Sequence, residues 1–377
     1  MAKPKNSGSQ LKNNSSESGN HISEWLGHRI YPSVKLDVST FVGPDFGSCP
    51  FLTDALGQKT NCVKSENSFG VCSVSSASNG SLQDWLVCPY RVVSSDIVRQ
   101  ACLLIFGDSA ANKRPKPVTL LKNEMELSKF KQEVVELGTG YVFFQDKLGG
   151  EISVIATPRS PEMSFDITLA EIVPSTAGFT VARYGILEVQ TMDFHGSYRQ
   201  AVQNLKDALR LHGESFSDSL RKNMEWGAEK VEGPNIANVF KRTFYQVLLK
   251  FQLSGRGAAA GTVLAIPQSV WDSWQPFLGA PEIERSADGS YRLKITDPIP
   301  DSTGSSNAHI CVFDLDSSAE SSVSPVQLKM DIRVTAEQLS HHAFKVVPSG
   351  MLESLSKSDS ILARIKMRLS NSWPELN

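Results

Sequence analysis

The chain has 377 residues, 40% of them hydrophobic and 21% charged, with a formal net charge of −2. That length suits one large domain or a few smaller ones and buries enough surface to need no covalent staples. The charge balance excludes a globally basic protein, although a basic cleft beside acidic metal ligands is compatible with it.

No apolar run approaches the ~18 residues of a membrane span, and the polar N-terminus lacks the apolar stretch of a signal peptide. The expected location is cytoplasmic, with no membrane partner. In that compartment the six cysteines (Cys49, Cys62, Cys72, Cys88, Cys102 and Cys311) would be metal ligands or buried thiols rather than disulfides.

Residues 1–21 are rich in Ser, Asn, Lys and Gly. They cannot bury a core and are predicted to be a disordered tail. Residues 22–92 hold four of the cysteines, spaced Cys49-x12-Cys62-x9-Cys72-x15-Cys88. Turn formers surround them: Gly43-Pro44, Gly47-Ser48, Asn67-Ser68 and Asn79-Gly80. Short strands joined by turns fit this stretch better than helices. Four thiolates could close a tetrahedral site around zinc or iron; with no CxxC pair, four cysteines packed in a small β-rich core fit the spacing equally well. A four-ligand site would be structural, because no coordination position stays open.

Residues 93–377 are expected to form the second domain. Ile97, Ala101, Leu104 and Ile105 recur at helical spacing, with Cys102 on the apolar side. A basic loop follows at Asn112–Pro117, and Glu124–Leu137 resumes the helical pattern. Tyr141–Phe144 reads as a strand; Gly149 and Gly150 behind it permit close backbone approach. Asp166 lies in a β-prone run, where a lone Asp is usually a turn or cap residue. The apolar strand Tyr184–Leu187 then delivers Glu188 and Gln190 on one face, with Val189 pointing the other way. Asp166 is expected on the neighbouring strand, and two carboxylates together would hold a divalent cation.

A helix is predicted over Ser197–Leu211, and residues 212–230 read as irregular. A second helix starts at a cap on Asn235 and buries Ile236, Val239, Phe240, Thr243, Phe244 and Val247. Lys241, Arg242 and Lys250 are placed on or near its exposed side, facing solvent or phosphates. Thr262–Ile266 is a continuous apolar strand of a covered sheet, and Pro267 opens a helix. Further strands are predicted at Tyr291–Ile295, His309–Leu315 and Gln327–Val334, with loops at 296–307 and 316–324 and a last helix over Ile361–Leu369.

Longer motifs occur in a fixed order: Gly27-His-Arg-Ile-Tyr-Pro32, Cys49-Pro-Phe-Leu-Thr53, Cys62-Val-Lys64, Gly70-Val-Cys72, Asp84-Trp-Leu-Val-Cys-Pro89 and Lys147-Leu-Gly-Gly-Glu151. Arg183-Tyr-Gly-Ile-Leu-Glu-Val-Gln-Thr-Met-Asp-Phe-His-Gly-Ser-Tyr198, Glu232-Gly-Pro-Asn235, Asn238-Val-Phe-Lys-Arg-Thr-Phe-Tyr-Gln246 and Ile266-Pro-Gln-Ser-Val-Trp271 follow. Over residues 24–275, and more weakly beyond, the chain resembles the NotI family of type II restriction endonucleases, within the PD-(D/E)xK nuclease superfamily.

The resemblance implies an α/β (α+β) fold, with a mixed central sheet flanked by helices and an N-terminal β-rich four-cysteine module. It implies a homodimer making magnesium-dependent double-strand breaks in duplex DNA at a GC-rich palindrome such as GCGGCCGC or a related CGGCCG-containing site, with a companion DNA methyltransferase in the host. Cys49, Cys62, Cys72 and Cys88 would hold one structural iron; zinc suits the same ligands. The active site would fall on Glu151, Asp166, Glu188 and Gln190, with Asp166 and Glu188 on the magnesium.

Gln190 stands where the superfamily has lysine, as in this family, and would orient water or a phosphate oxygen. His195 is either a base or a structural or DNA-contacting residue. Base readout has candidates in Arg29, Arg91, Lys147 and Arg199. Cys102 and Cys311 have no assigned role. A non-catalytic DNA-binding protein, or a nicking or repair nuclease of the same superfamily, is the alternative.

Overall fold

The computed structural model describes residues 19–41, 46–78, 81–93, 96–294, 307–316, 318–355 and 361–370. Most of the expected tail, the turns at Gly43-Pro44 and Asn79-Gly80, and nearly all of the loop expected at 296–307 lie outside the described residues.

Four strands open the chain: β1 (His21–Trp25), β2 (His28–Arg29), β3 (Val71–Ser78) and β4 (Ser81–Leu86). They form one sheet in the order β2-β1-β3-β4. Between β2 and β3 lies helix α1 (Pro50–Leu56), where only strands and turns are expected from sequence. The proline after Cys49 is the reason: its fixed φ suits the first helical position.

Helix α2 (Asp96–Phe106), strand β5 (Lys116–Pro117), helix α3 (Glu124–Leu137) and strand β6 (Gly140–Gln145) come next. They are followed by the ribbon β7 (Ile152–Val154) and β8 (Met163–Phe165), then the long strands β9 (Ile167–Ser175) and β10 (Gly178–Val189). Strand β11 (Phe194–Gly196) leads into helices α4 (Arg199–His212) and α5 (Phe216–Lys222) and strand β12 (Val231–Pro234), which pairs with β11. Helix α5 falls in a stretch that reads as irregular; it forms because Phe216 and Leu220 are buried against the first sheet.

Helix α6 (Ile236–Leu253), strand β13 (Ala259–Pro267) and helix α7 (Gln268–Leu278) precede strands β14 (Ile283–Arg285), β15 (Tyr291–Leu293), β16 (Ala308–Leu315) and β17 (Val326–Arg333). Helices α8 (Ala336–His341), α9 (Val347–Leu355) and α10 (Ile361–Ser370) end the described chain.

The result is a mixed α+β architecture with a nine-stranded sheet in the order β14-β15-β17-β16-β13-β10-β9-β6-β5. At its centre β10, β13 and β16 run parallel, and β9 returns antiparallel to β10. These central strands are apolar on both sides because both faces are covered. On one face Leu187, Val263, Ala265 and Phe313 pack with Ile97, Ala101 and Ile105 of α2. On the other, Leu264, Ile266, Ile310 and Val312 pack with α6 and α7 through residues such as Phe240, Phe244 and Trp271. Gly185 of β10 is required by this packing, because a Cβ there would lie 2.4 Å from Ile105 Cγ2.

The four-stranded sheet packs through Ile22, Trp25 and Val74 onto α4 and α5, and Cys49, Cys72 and Cys88 belong to the same apolar cluster as α2. The 22–92 segment therefore shares its cores with the larger sheet's helices. Among the described residues no helix is long and apolar enough to cross a membrane.

Candidate functional site

Strand pairing brings the acids together. In the β9–β10 ladder Leu187 pairs with Ile167, so Asp166 and Glu188 sit just past the last pair, opposite each other. Asp166 N–H donates to Glu188 Oε1 at 3.3 Å, and Val189 N–H donates to Asp166 Oδ2 at 3.0 Å. Side chains alternate along β10. Leu187 and Val189 join the α2-side core, which leaves Glu188 and Gln190 on the face covered by α6.

Helix α6 meets that face with a buried stripe that carries two polar residues. Thr243, Val247 and Lys250 follow one another at intervals of four and three residues and are all buried. Lys250 Nζ donates to Glu188 Oε2 at 2.5 Å, and the two residues are only 2% and 6% exposed. The expectation that Lys250 lies on an exposed side is therefore wrong; Lys241 and Arg242 do lie there. The carboxylate of Glu188 is the physical reason, since a buried charge survives only when paired.

Gln190 is held at both ends. Its amide nitrogen donates to the Thr191 carbonyl and its amide oxygen accepts from the Thr243 hydroxyl, while its backbone N–H donates to Ala265 O at 2.9 Å. Asn235 occupies the cap position of α6, but its side chain makes no capping hydrogen bond. Its backbone N–H instead donates to Asp193 O at 2.8 Å, tying the helix start to the segment after β10.

Asp166, Glu188, Gln190, Asp193, Arg242 and Thr243 line one polar cavity of about 240 Å³. Arg242 pairs with Asp193 at 2.5 Å on its exposed side. Burial, reinforced by the Asp166 carboxylate, pushes Glu188 up to about 7, against the pull of the Lys250 ammonium. Glu151 is exposed just before the β7–β8 ribbon, which Asp166 follows, and it does not line the cavity. It is still close enough to be affected: partial burial raises its carboxyl above the ordinary range, and Asp166 and Asp146 add to the effect. His195 is exposed on β11 and does not line the cavity.

The four N-terminal cysteines converge. Cys49, Cys62, Cys72 and Cys88 line a single cavity of about 10 Å³ together with Lys64, Gly70 and Tyr90. Cys62 Sγ accepts the Gly70 N–H at 3.4 Å, and Lys64 Nζ donates to Val71 O at 2.8 Å and to Val87 O at 3.2 Å. A hydrogen bond from the Cys72 thiol, aided by Lys64, lowers Cys88 to about 6, and the same bond raises Cys72. Burial raises Cys49 to about 11.

Among the described residues no group of three or more His, Cys, Asp or Glu side chains is placed so that it could hold a metal ion. The donor types fit two different ions. Four sulfurs suit zinc or iron, and paired carboxylate oxygens suit magnesium. Cys102 and Cys311 are both 0% exposed and belong to the core cluster under α2.

Two of the four base-readout candidates are interior. Arg29 is 1% exposed and pairs with Asp84 at 2.5 Å; Arg91 is 3% exposed and pairs with Glu24 at 3.3 Å. Both also reach Ser324, so they join the first sheet to the segment after β16. Arg29 and Arg91 thus have no face to offer to DNA. Lys147 and Arg199 are at the surface, Lys147 beside Asp146 at 3.1 Å.

No protein-family model matches this chain, and no curated protein matches it. The chemistry of the site rests on its geometry and on the motifs that frame it.

Proposed function

We propose that the chain is a magnesium-dependent endodeoxyribonuclease of the PD-(D/E)xK type, acting as a homodimeric type II restriction endonuclease on a GC-rich palindrome. The observation that carries this reading is the acid pair. Two carboxylates at the ends of adjacent antiparallel strands, linked through each other's backbone, open into one polar cavity. The motifs from Gly27 to Trp271 that resemble the NotI family support the same reading.

Asp166 and Glu188 would hold the magnesium ion, which when bound neutralises phosphate charge and lowers the pKa of water. The chain's own residues set the stage for it. Lys250 fixes Glu188, Thr243 fixes Gln190, and Arg242 lies on the rim where a phosphate would approach. Gln190 carries no charge, and its amide is committed at both ends, so its role is to shape the cavity and present one remaining N–H. Cys49, Cys62, Cys72 and Cys88 would hold one structural iron, or zinc, beside the active segment. The linkage runs through Met192 N–H, which donates to Leu86 O at 2.7 Å.

Incubation of the full chain with plasmid DNA carrying GC-rich palindromes, with magnesium and with EDTA, tests the proposal. The expected result is a magnesium-dependent symmetric double-strand break at one palindrome. Folded protein that leaves such DNA intact would overturn the nuclease reading, and single-strand nicks would transfer it to a nicking or repair enzyme.

A further inference from the structure

We infer that Lys250 is a positioning residue that limits the Asp166–Glu188 site to one divalent cation per chain. This rests on the acid pair being a cation site, as proposed above. Two cations about 4 Å apart are readily bridged by a carboxylate that turns one oxygen toward each. Glu188 cannot do so here. Its Oε2 is held by Lys250 Nζ at 2.5 Å, so only Oε1, which accepts the Asp166 N–H at 3.3 Å and keeps a second lone pair, is left to meet an ion.

The ammonium is fixed in place. Lys250 is 2% exposed, its carbonyl accepts the Thr262 hydroxyl at 3.1 Å, and its Nζ lies 5.7 Å from the Phe165 ring centroid. Among the described residues its Nζ donates to no acceptor other than Glu188. Asp166 keeps one oxygen for a cation: Oδ2 accepts the Val189 N–H, and Oδ1 accepts no hydrogen bond among the described residues. The ammonium thus stands where a second cation would otherwise meet Glu188, and it repels one from that position. The other nearby cation, Arg242, is committed to Asp193.

The test counts ions without using cleavage. Mn²⁺ is titrated into the full chain without DNA, and bound ion is read from loss of the free-ion spin-resonance signal. The count for Asp166→Ala is subtracted to isolate the acid site. The expected difference is one Mn²⁺ per chain for the native protein and for Lys250→Arg, which keeps the charge, rising to two for Lys250→Met, which frees Oε2. Loss of folding alone would lower the count, so a rise is a reading that a merely structural lysine would not produce.

A native count of two or of none overturns the inference, as does a folded Lys250→Met protein still binding one. If Lys250→Met does not fold, Lys250→Gln takes its place under the same criterion. A native protein that binds one ion yet cuts no DNA sinks the nuclease reading alone. One that cuts DNA and binds two ions sinks this inference alone.

Discussion

Asp166 and Glu188 are bound to each other's strands: the Asp166 N–H donates to the Glu188 carboxylate, and the Asp166 carboxylate accepts the N–H of Val189. Neither acid can move without disturbing the other. The pair behaves as one unit at the end of the β9–β10 ladder.

Replacing either acid should therefore remove cleavage, and Glu188→Gln should also cost stability because it leaves the buried Lys250 ammonium without its carboxylate. Asp166→Asn and Glu188→Gln are expected to lower magnesium-dependent cutting at least about 100-fold. DNA retention by gel shift in Ca²⁺-free buffer should stay within a few-fold of native. Native-level cutting by either variant would remove these residues from the active site.

Stability should carry the signature of Glu188. Its folded value of about 7 lies above the ~4.3 of an unfolded glutamate. Between those values the native chain binds more protons than the unfolded one, so this group's contribution is fully present below about 4 and is lost as pH rises through 7. In metal-free buffer, the urea stability of the native chain relative to Glu188→Gln should decline by up to about 3 kcal/mol from pH 4.5 to 7.5. A difference between the two proteins that is flat with pH, or rises, would show that Glu188 titrates as an ordinary carboxylate.

The cysteine cavity leads to an elemental measurement. Protein purified without chelator is expected to contain one iron or zinc per chain. Cys72→Ser or Cys88→Ser should empty the site and lower the melting temperature by at least about 5 °C. Plasma mass spectrometry finding no metal in the native protein would leave the four residues as core thiols.

Arg91 should matter to folding and leave DNA affinity alone. It and Glu24 are 3% and 0% exposed, so Arg91→Met leaves a buried carboxylate without its partner. The expected loss is about 3–5 kcal/mol by chemical denaturation. DNA affinity per folded molecule should be unchanged; a selective loss of affinity would restore Arg91 as a base-reading candidate.

Much of the local architecture is legible in residue order. The apolar run before Glu188 marks β10, the interval from Ile97 to Ile105 marks α2, and the stripe from Val239 to Val247 marks α6. Period 2 puts Glu188 and Gln190 on one face. The stripe on α6 even contains Lys250, seven residues after Thr243. Its charge argues for the exposed side only if no buried acid awaits it. Helices α1 and α5 are missed because a proline after cysteine resembles a turn, and because Phe216 and Leu220 are too few to show a period.

The sequence by itself determined most of the strands and helices of the larger sheet, which of their faces are apolar, and that two carboxylates and four thiols are available as donors. Only the tertiary structure decided which charges meet. Lys250 reaches Glu188 across 62 residues, Arg91 reaches Glu24 across 67, and Arg29 reaches Asp84 across 55. Burial without a partner costs several kcal/mol. A charged residue therefore takes its place from an opposite charge that chain folding brings to it, and residue order alone does not record that meeting.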